Sequence, residues 1–426
     1  MSRQSRPRPS PPPVPPPPPP RIGPRPLPLL LLTHLATLFG SLAVWPLWRS
    51  GSLSWKPHLA EQADLLKESL AAAGPEAPAG FETALAAEAV RRHAAFLNGI
   101  EAYRRHPYRR DLPPPPIVWS RGSTRLLDFR SEAEAIPAVP VLVIPSLVNR
   151  AYILDLTERR SLMRYFAARG LAPFLVDWDA PGPDEQGFTL TDYVLDRLEP
   201  MLDRVAELCG RAPVVVGYCM GGLLALPLAQ RRPGSVAALV LLATPFDFVA
   251  GRSETAALVR ALEPALGAMI DGAGCLPVDL LQALFAGLDP GLAARKFTAF
   301  AHTKPRSARA REFVALEDWA NDGVPLVAAV ARECLFEWYG ANAPARGEWR
   351  IDGRPVLPEE VRVPTLAIVP GRDRIVPPDS ALPLAQRIPH ARLSVVAGGH
   401  VGLLTGPRAR SDVLGPLVRW IRRRYP

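Results

Sequence analysis

Cysteine is scarce in this chain and never paired in sequence. Cys209, Cys219, Cys275 and Cys334 are the only four in 426 residues, and none forms a C-x-x-C pair. Such scatter supplies neither a zinc ribbon nor a disulfide framework. The expectation is a reduced, intracellular protein with no bound metal and with thiols free to react. Also missing are a zinc-finger pattern, an RNA-recognition signature and a basic heptad, which removes nucleic acid from the expected partners. Acidic residues are absent from residues 1–26, which hold Arg3, Arg6, Arg8, Arg21 and Arg25. Residues 407–426 carry six arginines against one acid. The two ends account for the formal net charge of +9 and leave the body near neutral. Basic ends suit an anionic surface such as a membrane or a lipid-coated particle, and equally serve solubility.

Proline, by contrast, is abundant and unevenly placed. Fourteen of the 51 prolines fall in the first 28 residues, so residues 1–26 read as a disordered Pro/Arg-rich tail. Residues 27–48, LPLLLLTHLATLFGSLAVWPLW, carry no formal charge and are long enough to cross a bilayer. The polyproline leader and the lack of a small-residue cleavage site argue against a signal peptide. Thr33, Thr37 and Ser41 recur at four-residue spacing beside His34, a small polar stripe on a helix. That stripe favours a helix at a lipid or polymer surface and against the domain, rather than a span, with Pro46 ending it. On this reading the leader is a surface contact separable from catalysis. Helical periodicity follows over 58–105, broken at GPEAPAG, and the stiff LPPPP at 112–116 marks a boundary. Three regions result: a tail (1–26), an N-terminal apolar segment with helices (27–112) and a main domain (117–426).

In the main domain strands and helices alternate. TRLLDFR (124–130), VPVLVIPS (139–146), LAPFLVDW, APVVVGY, SVAALVLLATP, TLAIVP (365–370) and ARLSVVAG (391–398) read as strands, several of them apolar throughout. Continuous apolar strands are those covered on both faces of a parallel sheet. DLTERRSLMRYFAARG reads as a helix ending at Gly170. TDYVLDRLEPMLDRVAELC places Tyr193, Val194, Leu198, Met201, Leu202 and Val205 on one helical face. A mostly helical stretch from about 250 to 350 interrupts the strands. The class is α/β, a parallel sheet with a helical insertion and an N-terminal helical extension.

The chemistry centres on VVGYCMGGLLA, residues 215–225. Glycines 217, 221 and 222 surround Cys219 between an apolar strand and an apolar helix, the context of a nucleophile elbow. A sharp turn there strains the backbone and demands small neighbours, and the helix N-terminus favours a thiolate and an oxyanion. A thiol nucleophile needs a base, and the base an orienting acid. Three histidines lie downstream. His400, in VVAGGHVGLL after the last strand, is the expected base; His302 falls in the insertion and His390 reads as a helix C-terminal cap. Asp373, in the loop IVPGRDRIVPP after TLAIVP, is the expected acid. The two oxyanion N–H groups are expected from Met220 and from Val148 in PSLVNRAYILDL.

Five motifs in order, PSLVNRAYILDL, APFLVDWDAPG, GYCMGG, GRDRIVPP and GGHVG, resemble the polyhydroxyalkanoate synthases. The likeness runs from about Ile117 to Arg423. It implies an α/β-hydrolase fold with a helical lid. It also implies an acyltransferase that polymerises 3-hydroxyacyl groups from coenzyme A thioesters into polyhydroxyalkanoate through an acyl-cysteine. Position by position, Cys219 matches the acylated nucleophile, His400 the base, Asp373 its acidic partner and Val148 the oxyanion loop. No cofactor is implied, coenzyme A entering as the substrate thioester. A polymer granule or lipid surface, a homodimer and an accessory synthase subunit are the implied partners. A cysteine-dependent esterase or depolymerase needs the same triad, and a non-catalytic granule- or membrane-associated protein is the third alternative. EDWANDGVP and ECLFEWYG of the lid are candidates to line an acyl channel. The apolar leader matches neither the long nor the short synthases.

Overall fold

The structure is a computed structural model that describes residues 21–131 and 138–424. The polyproline tail through residue 20 therefore lies outside the described residues. Eight strands form the central sheet: β1 (Ile117–Arg121), β2 (Thr124–Asp128), β3 (Val139–Ile144), β4 (Leu171–Asp177), β5 (Val214–Tyr218), β6 (Ala238–Leu242), β7 (Thr365–Pro370) and β8 (Arg392–Val396). Their order is β1-β2-β4-β3-β5-β6-β7-β8. β2 runs antiparallel to β1 and β4, whereas every pair from β4 to β8 is parallel. Register pairs Val141 with Val214, Val214 with Ala238, and Leu239 with Thr365.

The apolar runs make physical sense in this sheet. Leu142, Ile144, Phe174 and Val215 pack into one core, while their neighbours Val141, Val143, Leu175 and Val216 pack into the core on the opposite face. Side chains alternate across a strand, so burying both faces requires every position to be apolar. The helical run through Leu190–Asp192, Tyr193–Leu198 and Glu199–Cys209 covers the first face. Val194, Leu198, Met201, Leu202 and Val205 are fully buried there, as the periodicity predicts.

Helices are labelled α1 (Leu27–Arg49), α2 (Pro57–Ala72), α3 (Ala77–Arg105), α4 (Leu162–Ala167), α5 (Glu199–Cys209) and α6 (Met220–Arg231). The lid connects β6 to β7 through α7 (Ser253–Ala273), α8 (Val278–Leu288), α9 (Leu292–Ala301), α10 (Ala308–Asn321) and α11 (Ala328–Arg332), which runs on through Glu333–Gly340. After β7 come α12 (Pro378–Arg387), a single turn at Gly402–Thr405 and α13 (Gly415–Arg422). α3 lies on α9 through edge-on contacts of Phe297 with Phe96 and Tyr103.

Four local expectations are corrected. DLTERRSLMRYFAARG is helical only over α4; Asp155–Thr157 and Arg160–Ser161 pair as a short antiparallel ribbon. The buried Asp155 carboxylate holds Arg110 at 2.9 Å and Arg164 at 2.8 Å, and those charge-assisted bonds fix the ribbon. Ser161 Oγ then accepts from Arg164 N at 2.9 Å and starts the helix. Pro46 does not end α1, which continues to Arg49. His390 is no cap: α12 ends at Arg387, and His390 sits beyond it with φ 58°. Finally, residues 21–26 are not part of a loose tail. They are docked, with the Arg21 side chain 5% exposed against Asp318 of α10.

α1 packs one face and exposes the other. His34 stacks on His93 and Phe96 of α3, and Trp45 packs on Phe81. Leu29, Leu32, Phe39 and Leu47 stand on the exposed side. Thr37 and Ser41 turn their hydroxyls back to the carbonyls of Thr33 and Thr37, so these two members of the polar stripe are satisfied within the helix. By length and hydropathy α1 is the one helix among the described residues that is long enough to cross a membrane.

Candidate active site

Cys219 stands between the last residue of β5 and the first of α6, with φ 57° and ψ −128°. A side-chain-bearing residue seldom adopts this backbone, and here the surroundings hold it. The Cys219 N–H donates to Leu242 O of β6 at 2.8 Å, and its carbonyl accepts from Gly222 N at 2.9 Å. Gly221 shows why the neighbours are small. A Cβ on it would lie 2.1 Å from Ile144 O and 2.6 Å from Pro145 O, backbone that cannot move without displacing β3. Gly221→Ala is therefore expected to cost about 3 kcal/mol or more. A shifted urea midpoint at unchanged slope would show it, and a midpoint equal to wild type would refute the argument.

The loop after β7 and the turn after β8 bring the other two predicted residues to the thiol. Asp373 Oδ1 accepts from the backbone N–H groups of Ile375 (2.8 Å) and Val376 (2.9 Å). That leaves Oδ2 for His400 Nδ1, at 2.7 Å, with the carboxylate side chain fully buried. His400 is buried and lies within hydrogen-bond reach of the Cys219 thiol. Burial disfavours the imidazolium. The negative charge of Cys219 and the hydrogen bonds to Asp373 and Cys219 outweigh it, and the imidazole is raised to about 10. Tyr218 packs its ring on His400 and donates its hydroxyl to the His400 carbonyl at 3.3 Å.

Met220 is the first residue of α6, so its N–H belongs to the unsatisfied first turn beside the thiol. Val148 also lines the cavity, but its N–H donates to Ser146 Oγ at 3.2 Å. Ser146 was not among the residues singled out from sequence. His302 ends α9, and neither it nor His390 is part of the cavity wall.

The thiol and imidazole open into a cavity of about 780 Å³, lined mainly by apolar groups. Its roof is the lid. Leu276, Leu281 and Phe285 come from its first half. Both expected stretches contribute, EDWANDGVP through Glu317, Trp319 and Asn321, and ECLFEWYG through Cys334, Trp338 and Tyr339. Of the buried polar atoms in the wall, Asn149 Oδ1 and Trp338 Nε1 have neither a hydrogen-bond nor an ion-pair partner among the described residues, whereas Glu317 Oε2 is held by Lys296 at 2.7 Å. Asn149 and Trp338 lie in stretches read from the sequence, PSLVNRAYILDL and ECLFEWYG, but neither residue is singled out there. Pro24, Arg25 and Leu30 also line the cavity, so the docked end of the leader forms part of its wall.

An elbow thiol, a histidine and an aspartate on this sheet order define an α/β hydrolase. The family model for the alpha/beta hydrolase fold matches residues 139–407, and the chain belongs to that family. Within it, the relatives are polyhydroxyalkanoate polymerases, as the motifs imply. The chain is 29% identical to the poly(3-hydroxyalkanoate) polymerase subunit PhaC of Haloferax mediterranei, over 73% of this chain and 64% of that one. It is 27% identical to the subunit of the same name from Thiocystis violacea, over 74% of this chain and 89% of that one. It thus spans slightly less than two thirds of the first relative and most of the second. Among solved structures, a carboxylesterase of Nitrososphaera gargenis is 14% identical, with a TM-score of 0.44, over 72% of this chain and 99% of that one.

Proposed function

We propose that this protein polymerises 3-hydroxyacyl groups from coenzyme A thioesters, with Cys219 as the acyl carrier. The observation that carries this reading is a thiol at the elbow, facing His400 and Asp373, in a chain whose relatives are named polymerases. The Cys219 thiolate attacks the thioester carbonyl, with Met220 N–H facing the developing oxyanion. The bond to the coenzyme A sulfur breaks, and the departing thiolate takes the proton held on His400. Exchange of one thioester for another is nearly isoenergetic, so acyl groups load without loss of activation. The hydroxyl of the next unit then gives its proton to His400 and attacks the acyl-cysteine; the ester forms and Cys219 leaves as thiolate. No cofactor enters these steps.

The lid supports this reading, since an apolar roof keeps water from the acyl-cysteine. Asn149 Oδ1 and Trp338 Nε1 are an acceptor and a donor suited to the hydroxyl and carbonyl of a hydroxyacyl unit. The exposed apolar face of α1, with Leu32 64% and Phe39 63% exposed, is the contact with a granule or lipid surface in the cytoplasm. A homodimer or an accessory subunit completes the assembly, the relatives being named as subunits.

The test is to incubate the protein with 3-hydroxybutyryl-coenzyme A and follow both products. Coenzyme A release with polymer, and little free hydroxy acid, is the expected result. Release with free hydroxy acid alone would make the protein a thioesterase.

A further inference from the structure

The short segment ahead of α1 is held more tightly than a leader needs to be. The Arg21 guanidinium bonds Asp318 of α10 at 2.6 Å and donates to the carbonyls of Tyr103, His106 and Tyr108 at the end of α3 and just past it. Tyr103 adds its hydroxyl to Asp318 at 2.9 Å and its ring beneath Arg21. Arg104 of α3 donates to Gly23 O at 2.9 Å. The second anchor is Asn321, at the end of α10. Its Oδ1 accepts from Arg25 N at 2.7 Å, and its Nδ2 donates to Glu317 O at 2.6 Å. Gly23 lies so close that a Cβ there would meet the Asn321 side chain at 2.6 Å. Arg25 continues to Asp279 of α8 at 2.8 Å. Between these anchors Pro24, Arg25 and Leu30 face the cavity that holds Cys219 and His400.

We infer that residues 21–30 are a strap forming part of the catalytic cavity wall, and that this strap controls access to Cys219 and the size of acyl group the site accepts. The lid and α3 alone do not make this wall. The strap ties α8 and α10 of the lid to the end of α3, so the cavity is closed by residues nearly 300 positions apart in the chain. Arg21 and Asn321 act through the strap and are positioning residues. The acyl-size part rests on the acyl-transfer reading; the access part does not.

Access is read by alkylation of Cys219 with iodoacetamide, followed by peptide mass spectrometry on the full-length protein. Losing a hydrogen bond to a charged group shifts a local opening equilibrium by about tenfold. Arg21→Ala is expected to raise the alkylation rate of Cys219 by about that factor, and Asn321→Ala, whose Oδ1 accepts from the neutral Arg25 backbone N–H, by about fivefold. Deletion of residues 2–20, which leaves the strap whole, is expected to leave the rate unchanged. The two anchors sit on opposite sides of the contact, so if one variant loses its circular dichroism the other decides. Alkylation within about twofold of wild type in a folded anchor variant overturns the strap. As a second readout, the kcat/KM ratio of 3-hydroxyoctanoyl- to 3-hydroxybutyryl-coenzyme A rises in the anchor variants. An unchanged ratio with faster alkylation keeps the strap as an access element and rejects it as a determinant of acyl size. If no acyl-coenzyme A is turned over at all, alkylation still reports on the strap.

Discussion

Cys219→Ala is expected to release no coenzyme A above background from 3-hydroxybutyryl-coenzyme A, a loss of about 10⁴-fold or more. The expectation follows from Cys219 being the thiol at the elbow beside His400; Cys334 also lines the cavity, but burial pushes its thiol well above the ordinary value. His400 and Asp373 are tied to each other at 2.7 Å. Without the thiol, water is the remaining acceptor, and the lid excludes it. The fold should survive. Cys219 is held by backbone bonds to Leu242 and Gly222, which alanine retains, and alanine meets the same φ of 57° with no larger strain. Thermal unfolding within about 1 kcal/mol of wild type, together with lost turnover, separates a catalytic role from a structural one. Turnover near the wild-type rate in Cys219→Ala would remove the acyl-cysteine from the mechanism. Cys219→Ser is informative beside it. An alcohol must lose a proton to His400 before it attacks, so acyl transfer slows while the lid still covers the site, and a slow polymerase is the expected product.

The elbow was legible because its constraints are local. A strand, three glycines and an apolar helix within eleven residues leave few alternatives to a strained turn, and strand order then brings Asp373 and His400 to it. The parallel sheet was legible for a similar reason, since β3, β5 and β6 are apolar at every position. The parts that escaped depend on distant partners. The ribbon at Asp155 reads as helix by spacing; what holds it is a buried carboxylate shared by Arg110 and Arg164. Ser146 Oγ on the Val148 N–H is a short-range bond with no sequence signature. Arg21 is one of five arginines in an acid-free stretch, and nothing near it foretells Asp318. The leader consequently looked like an appendage, although its docked end walls the catalytic cavity.

Asp373→Asn is expected to lower acyl transfer by about 10³- to 10⁴-fold, with the thiol still in place. An amide keeps the shape, but of the groups that raise His400, Cys219 first and then Asp373, it removes the second. It also competes for the wrong tautomer, since Nδ1–H now donates to Oδ2 and leaves Nε2 for the thiol. Stability gives an independent readout with a definite sign. His400 holds its proton in the folded protein up to about 10, against an ordinary value of 6.5, so its contribution is complete below 6.5. As pH rises from there toward 10, the unfolded chain has lost the proton that the folded one retains, and the contribution disappears. Glu333, raised to about 7 by burial, also makes the fold less stable as pH rises, through the lower window from its ordinary value near 4.5. The comparison that isolates the share of this contribution owed to Asp373 is therefore the difference between wild type and Asp373→Asn in urea unfolding, the Cys219 share remaining in both. That difference should be largest below 6.5 and shrink as pH rises toward 10. A difference independent of pH would mean that the carboxylate positions the ring without holding its charge. In that case the loss of activity would have to be assigned to the tautomer alone.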